Sequence, residues 1–311
     1  MPLFPSSIPL GGTPQAPPPA DPTDLVAATA GGVRRYNEVI YAQVMGYRPL
    51  CLDLLIPDGS PSLPPIVVVI HGGGWSMGRR GLDQAFPVNF AMLAQRLLDG
   101  GFAVASADYR LTGEAIWPAQ IQDLRAAVRW LRTAGPVLGF DASRLGVIGE
   151  SAGGHLSLML GTNASNPSFD NEDGVRAGSV DVQAAVAWYP PTDLFRLESQ
   201  RLPESPADHS SADAPESLLI GAAVEDHREL ADSASPITYV SAASAPTLLI
   251  HGDHDVVVPF EQSVSFESAM QRVGASARLL AVHGADHCFL GADDEPLIDA
   301  SVEHFRKHLS S

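Results

Sequence analysis

The chain has 311 residues, 45% of them apolar, and a formal net charge of −17. That length can bury a large core. The acidic balance excludes nucleic acid and anionic membranes as partners, because either needs a basic face to displace counterions. Cys51 and Cys288 stand far apart and are read as free thiols of a reducing compartment, not as a disulfide framework. No apolar run has spanning length and the start lacks a signal-like pattern, so the expectation is a cytoplasmic protein without a membrane span.

Residues 1–24 are read as a proline-rich arm, since Pro17-Pro18-Pro19 and their many proline and glycine neighbours cannot sustain helix or ladder bonding. Whether the arm docks on its own domain or on a neighbouring subunit stays open, and with it a homodimer. Residues 25–311 are read as one domain. Two strands, 36–44 and 49–56, flank a turn at Met45-Gly46-Tyr47, and Leu50, Leu52, Leu54 and Ile56 alternate as in a half-exposed edge strand. Ile66-Val67-Val68-Val69-Ile70 is a short unbroken apolar run, as in a parallel strand covered on both faces.

That run ends in His71-Gly72-Gly73-Gly74-Trp75. Consecutive glycines cost backbone entropy, and their use here is close approach of amide groups to an anion. A helix at 88–99, a strand at 102–107 and a helix from Pro118 to a stop at Gly135 follow, with Ile121, Leu124, Val128 and Leu131 at helical spacing. Asp123 and Arg125 in that helix are read as structural or solvated, not as catalytic.

The run Leu145-Gly146-Val147-Ile148 enters Gly149-Glu150-Ser151-Ala152-Gly153-Gly154. This is a G-x-S-x-G turn between a strand and a helix, which lifts a serine hydroxyl clear of the backbone and needs neighbours with almost no side chain. After a polar loop at 163–178 and a strand at 182–188, residues 190–235 are an acidic, proline-punctuated insertion, read either as a cap over the site or as an irregular surface excursion. A strand at 246–250 ends in His251-Gly252-Asp253-His254-Asp255, and a helix at 259–273 follows. A strand at 277–282 ends in His283-Gly284-Ala285-Asp286-His287-Cys288, and a helix at 295–309 closes the chain. The alternation implies an α/β fold with a mostly parallel sheet, helices on both faces and chemistry at the strands' carboxyl ends.

A serine hydroxyl needs a base, and the base needs an orienting acid, placed in the order Ser, acid, His after successive strands. Asp255 and His287 fill the two later places. Asp255 is preferred to Asp253, which is assigned to shaping the turn, and His287 to His283 and His254 because Gly284 and Ala285 let its loop bend back. The His251, Asp253, His254 and Asp255 cluster is set aside as a metal site, because neighbours in one turn seldom converge on an ion.

Together the His-Gly-Gly-Gly-Trp loop, the Gly-Glu-Ser-Ala-Gly-Gly turn, His251-Gly252-Asp253 through Asp255-Val256-Val257-Val258-Pro259, and Gly284-Ala285-Asp286-His287 resemble an α/β-hydrolase carboxylesterase from Tyr36 onward. The chain is most similar to hormone-sensitive-lipase-like esterases and to feruloyl and acetyl-xylan esterases. The latter group also matches Tyr109-Arg110-Leu111 and Ser235-Pro236-Ile237-Thr238-Tyr239-Val240. The resemblance implies Ser151 as nucleophile, His287 as base, Asp255 as its partner, and the amides of Gly73, Gly74 and Ala152 as an oxyanion hole. Glu150 stands where many lipase-like relatives have aspartate, and Cys288 where glycine is common, which puts both at the pocket. Trp75 is a pocket wall or a buried structural residue.

The expected function is hydrolysis of neutral short-chain or aryl esters, feruloyl or acetyl esters among them, through an acyl-enzyme. No cofactor or metal is called for, and the partner is a small ester substrate. Amide hydrolysis of the arylformamidase kind is the alternative, and a noncatalytic receptor on the same fold is a third reading.

Overall fold

The computed structural model describes residues 18–83, 88–162, 166–170 and 174–310. Most of the proline-rich arm, and the 163–165 and 171–173 parts of the polar loop, lie outside the described residues. The end of the arm that is described docks on its own domain, where the Ala20 amide donates to the Ile40 carbonyl at 2.8 Å and the Trp130 indole N–H donates to the Ala20 carbonyl at 3.0 Å.

The chain begins with an antiparallel edge made of β1 (Ala28–Ala30), β2 (Val33–Ala42) and β3 (Leu50–Pro57). The short first strand is an addition to the sequence reading, turned back by Gly31 and Gly32 at positive φ. In β3 the alternating Leu50, Leu52, Leu54 and Ile56 face one core, and Leu55 is buried against another, so this strand is more enclosed than its pattern implies. The buried apolar run is β4 (Pro65–Ile70). Its Ile66, Val68 and Ile70 point into the first core and Val67 and Val69 into the second, as strand alternation requires of a strand covered on both sides.

Helix α1 (Phe90–Asp99) opens on an Asn89 side chain that accepts the Met92 amide at 2.9 Å, and buries Phe90, Leu93, Ala94 and Leu97 along one stripe. Next come β5 (Ala103–Ala107) and α2 (Ala119–Leu138). The expected stop of α2 at Gly135 is corrected: the helix absorbs Pro136 and ends at Gly139, whose left-handed φ of 86° and N–H to the Gly135 carbonyl form the cap. Gly135 serves packing instead, because a Cβ there would meet the Phe140 carbonyl oxygen at 2.8 Å.

The remaining elements are β6 (Asp141–Glu150), α3 (Ala152–Thr162), β7 (Ala184–Trp188), the short insert helices α4 (Leu197–Gln200), α5 (Pro215–Ile220) and α6 (Arg228–Ser233), then β8 (Thr247–Gly252), α7 (Glu261–Arg272), β9 (Ala277–Val282) and α8 (Glu295–Leu309). Nine strands form one sheet in the order β1-β2-β3-β5-β4-β6-β7-β8-β9, parallel from β5 onward. Helices α2 and α3 cover one face, α1 and α8 the other. The glycine loop, the serine turn, Asp255 and His287 therefore all emerge from the carboxyl edge.

Asp123 and Arg110 form a buried pair: both carboxylate oxygens bond the guanidinium at 2.7–3.1 Å, and one also takes the Arg110 amide at 2.9 Å. Asp123→Ala is expected to cost about 3–5 kcal/mol by stranding that cation in the interior, read as a lower midpoint in urea unfolding. Arg125 likewise pairs with Asp170; both residues are structural, as expected.

Candidate active site

Strand β6 delivers Ser151 into a left-handed backbone conformation, φ 51°, before α3 begins. The turn is packed backbone on backbone. A Cβ on Gly153 would lie 2.2 Å from the Ile70 carbonyl oxygen, and one on Gly149 would lie 2.3 Å from the Gly153 carbonyl oxygen. The Ser151 amide is held by the Trp188 carbonyl at 2.9 Å. Gly153→Ala must push β4 and the turn apart, so we expect a loss of about 1–3 kcal/mol together with displacement of the hydroxyl. Thermal melts combined with turnover measurements check both effects.

Two loops away, Asp255 is buried beneath His287. One of its oxygens accepts the amides of Val257 and Val258, each at 2.8 Å. The other lies 2.8 Å from His287 Nδ1 and 3.3 Å from His251 Nε2. Burial alone would raise the Asp255 pKa, but the hydrogen bonds and charges of His251 and His287 hold it well below the usual carboxylate range. His287 Nε2 in turn lies 3.2 Å from Ser151 Oγ. With Nδ1–H donated to the carboxylate, Nε2 is the nitrogen free to accept the serine proton. The Tyr189 ring, 4.6 Å away at 62°, backs the imidazole.

The competing residues go elsewhere. His283 is exposed and bonds Asp253 at 2.8 Å, and Asp253 also accepts the Gly284 amide at 2.7 Å, which ties the two loops together as its assigned turn role requires. His254 is exposed, and His251 turns inward with Nδ1 on Ser263 Oγ at 2.7 Å. Within the His251–Asp255 cluster, Asp253 bonds His283 and Asp255 bonds both His287 and His251.

The glycine loop faces the serine. The Gly72 amide is already committed to Glu150 Oε1 at 2.7 Å. Among the described residues, the amides of Gly73, Gly74 and Ala152 donate to no backbone or side-chain acceptor. Gly73, at φ 95°, lies so close to Met77 that a Cβ would meet its carbonyl oxygen at 2.4 Å. Glu150 therefore clamps the loop. Burial raises its pKa, against the opposing effects of His287 and the Gly72 amide.

The glycine loop, Glu150, Ser151 and His287 border a cavity of about 560 Å³ that residues 207–209, Pro215 and Glu216 of the insertion also line. Trp75 borders it too, with its side chain fully buried and its Nε1 donating to His155 Nδ1 at 3.2 Å. Cys288 lines the cavity with its thiol pushed up to about 12 by burial first and Glu150 second, and so it carries no thiolate at neutral pH. Tyr189, His251, His209 and Glu216 escaped sequence reading. Only His251 had a signal there, as part of the discarded metal cluster.

A strained serine turn and an imidazole–carboxylate pair on adjoining carboxyl ends of a mixed sheet, with free amides opposite, make this an α/β hydrolase. A truncated carbohydrate esterase from gut microbiota has the same fold at a TM-score of 0.77 with 28% identity, covering 95% of this chain and all (100%) of that one. An acetyl ester-xyloside bifunctional hydrolase from Caldicellulosiruptor lactoaceticus aligns at 0.67 with 25% identity, over 84% of this chain and 88% of that one. The chain belongs to the BD-FAE family, whose model matches residues 52–270. Esterase LipC of Mycobacterium tuberculosis is 33% identical over 241 residues, which is 76% of this chain and 56% of LipC. The chain thus spans about half the length of the curated relatives it matches. Among the described residues no helix is long and apolar enough to cross a membrane.

Proposed function

We propose that this chain is a serine carboxylesterase that hydrolyses neutral short-chain or aryl esters, acetyl and feruloyl esters among them. The observation that carries the reading is the unbroken path from Ser151 Oγ to His287 Nε2 at 3.2 Å and from His287 Nδ1 to Asp255 at 2.8 Å, opening on the cavity. The names of the similar proteins, an esterase, a carbohydrate esterase and an acetyl ester hydrolase, support it.

Ser151 Oγ attacks the ester carbonyl while His287 Nε2 takes its proton. Asp255 stays ionised and stabilises the imidazolium. The oxyanion takes up the free amides of Gly73, Gly74 and Ala152, where one donor is worth about 10²–10³ in rate. His287 then protonates the leaving alcohol, and a water activated by the same imidazole releases the acid and restores Ser151. Three acidic side chains at the cavity, Glu150, Asp208 and Glu216, favour uncharged substrates over anionic ones. The 190–235 insertion acts as a cap, supplying part of the cavity wall.

Turnover of p-nitrophenyl esters of increasing acyl length, feruloyl esters, acetylated xylan and N-formylkynurenine tests the reading. Faster cleavage of the formamide than of every ester would replace it with the arylformamidase alternative. Binding without turnover of any of them would leave the receptor.

A further inference from the structure

The 190–235 insertion reaches past the cavity to the loop that carries the catalytic acid. Two adjoining peptide groups of that loop hold Asp255, because the Val257 and Val258 amides both donate to its Oδ1, each at 2.8 Å. Each amide shares a peptide plane with the carbonyl of the residue before it, Val257 N–H with the Val256 oxygen and Val258 N–H with the Val257 oxygen. Side chains of the insertion take both of those carbonyls. Ser205 Oγ donates to the Val256 oxygen, and His209 Nε2 donates to the Val257 oxygen at 3.0 Å.

The direction of these bonds follows from their partners. Ser205 Oγ accepts the Ala207 amide at 3.1 Å, which leaves its one proton for the Val256 carbonyl. A carbonyl oxygen can only accept, so His209 carries a proton on Nε2, and its Nδ1 lies 3.2 Å from Glu216 Oε1, which sets the plane of the ring. The backbone that presents the two side chains is itself tied down: Glu198 accepts from Arg201 Nε at 2.7 Å and from the His209 amide at 3.2 Å, and Arg201 Nη1 donates to the Ser205 carbonyl at 2.9 Å. Both Ser205 and His209 are buried. The next carbonyl along, that of Val258, accepts from His251 Nε2 at 3.0 Å, but its peptide leads into Pro259 and has no N–H to pass on. Hydrogen bonds in series polarise one another, so a carbonyl that accepts makes the N–H of the same peptide a better donor. Here both series end on Asp255 Oδ1, and holding that oxygen leaves Oδ2 as the atom 2.8 Å from His287 Nδ1.

We propose that Ser205 and His209 are positioning residues of the reaction, acting through the 256–257 and 257–258 peptide groups to hold the Asp255 carboxylate in line with His287. This rests on the esterase reading and deepens it: the insertion orients the catalytic acid as well as lining the cavity. Neither side chain exchanges a proton with the substrate.

Ser205→Ala and His209→Leu each remove one donor. With p-nitrophenyl acetate and the full chain, its folding checked by circular dichroism, each is expected to lower kcat by about tenfold to a hundredfold, the effect of a small misplacement by a residue outside the chemistry, and to leave KM near the parent's. Ser205→Thr and His209→Gln keep a donor and are expected to recover most of the loss, whereas a change that only reshaped the cavity wall would move KM. Because the effect runs through the carboxylate, Ser205→Ala added to Asp255→Asn is expected to cost little beyond Asp255→Asn alone. Parent-like kcat in either donor-less variant, or the full Ser205→Ala loss repeated on top of Asp255→Asn, overturns the proposal. If Ser205→Ala or His209→Leu does not fold, Ser205→Cys decides in its place, since a thiol is a weaker donor of nearly the same shape: a reduced kcat at parent-like KM upholds the proposal, and parent-like kcat overturns it. A parent that cleaves no ester overturns the esterase reading itself, an outcome separate from an active parent whose variants match it.

Discussion

Ser151→Ala is expected to lower kcat/KM for a p-nitrophenyl ester by about 10⁴- to 10⁶-fold, the size seen when a triad nucleophile is removed and only binding and oxyanion stabilisation remain. The loss should fall on kcat. The change removes one oxygen, whose bond in the site is the 3.2 Å contact to His287 Nε2. The backbone needs no adjustment, because alanine meets the φ of 51° no worse than serine does, and the Trp188 carbonyl still holds the residue's amide. Circular dichroism melts should therefore place parent and variant within a few degrees of each other. A variant that unfolds early would mean that the hydroxyl holds the turn together; one that turns over normally would remove Ser151 from the mechanism.

Asp255→Asn is expected to cost about 10⁴-fold in kcat by changing which imidazole nitrogen carries the proton. The Asp255 carboxylate is acceptor-only and receives all its neighbours: the Val257 and Val258 amides on one oxygen, His287 and His251 on the other. An asparagine must turn an NH₂ towards one of those donor sets. Turned towards the imidazoles, it requires His287 Nδ1 to accept, which moves the proton to Nε2 and blocks the serine. The parent's stability should show the same carboxylate. A folded pKa held below the unfolded value of about 3.9 contributes stability that is complete above that value and is lost as pH falls through the folded one. The stability gap between parent and Asp255→Asn should thus be constant from neutral pH down to about pH 4 and shrink below it, as read by urea unfolding at each pH. A gap that widens on acidification would contradict the depressed pKa.

The core strands were legible because their chemistry is local. Ile66 to Ile70 has one pattern compatible with burial on both faces; Ser151 and Asp255 follow such strands and His287 follows the half-exposed edge strand β9, each closely enough that the fold's direction places them at one edge. Gly135 was misread because a glycine signal has two causes, a left-handed cap and close approach, and the local pattern cannot separate them; the Phe140 carbonyl that decides it lies beyond the helix end. The short β1 strand carried only its Gly31-Gly32 turn as a signal. The 190–235 insertion was the least legible. Its helices of four to six residues carry no periodicity, and His209 meets Val257 across 48 positions, a pairing that no spacing rule anticipates. His251 entered the sequence reading only within the cluster set aside as a metal site, and its place is beside the Asp255 carboxylate.

The central claim is that Ser151 is the nucleophile activated by His287, and covalent trapping tests it most directly. Treating the chain with paraoxon and mapping the product by mass spectrometry should find a single diethylphosphoryl group on the peptide containing Ser151, formed in step with loss of esterase activity, absent from Ser151→Ala and greatly slowed in His287→Ala. A label on another residue that tracks the loss of activity, or full activity in a chain already labelled at Ser151, would contradict it.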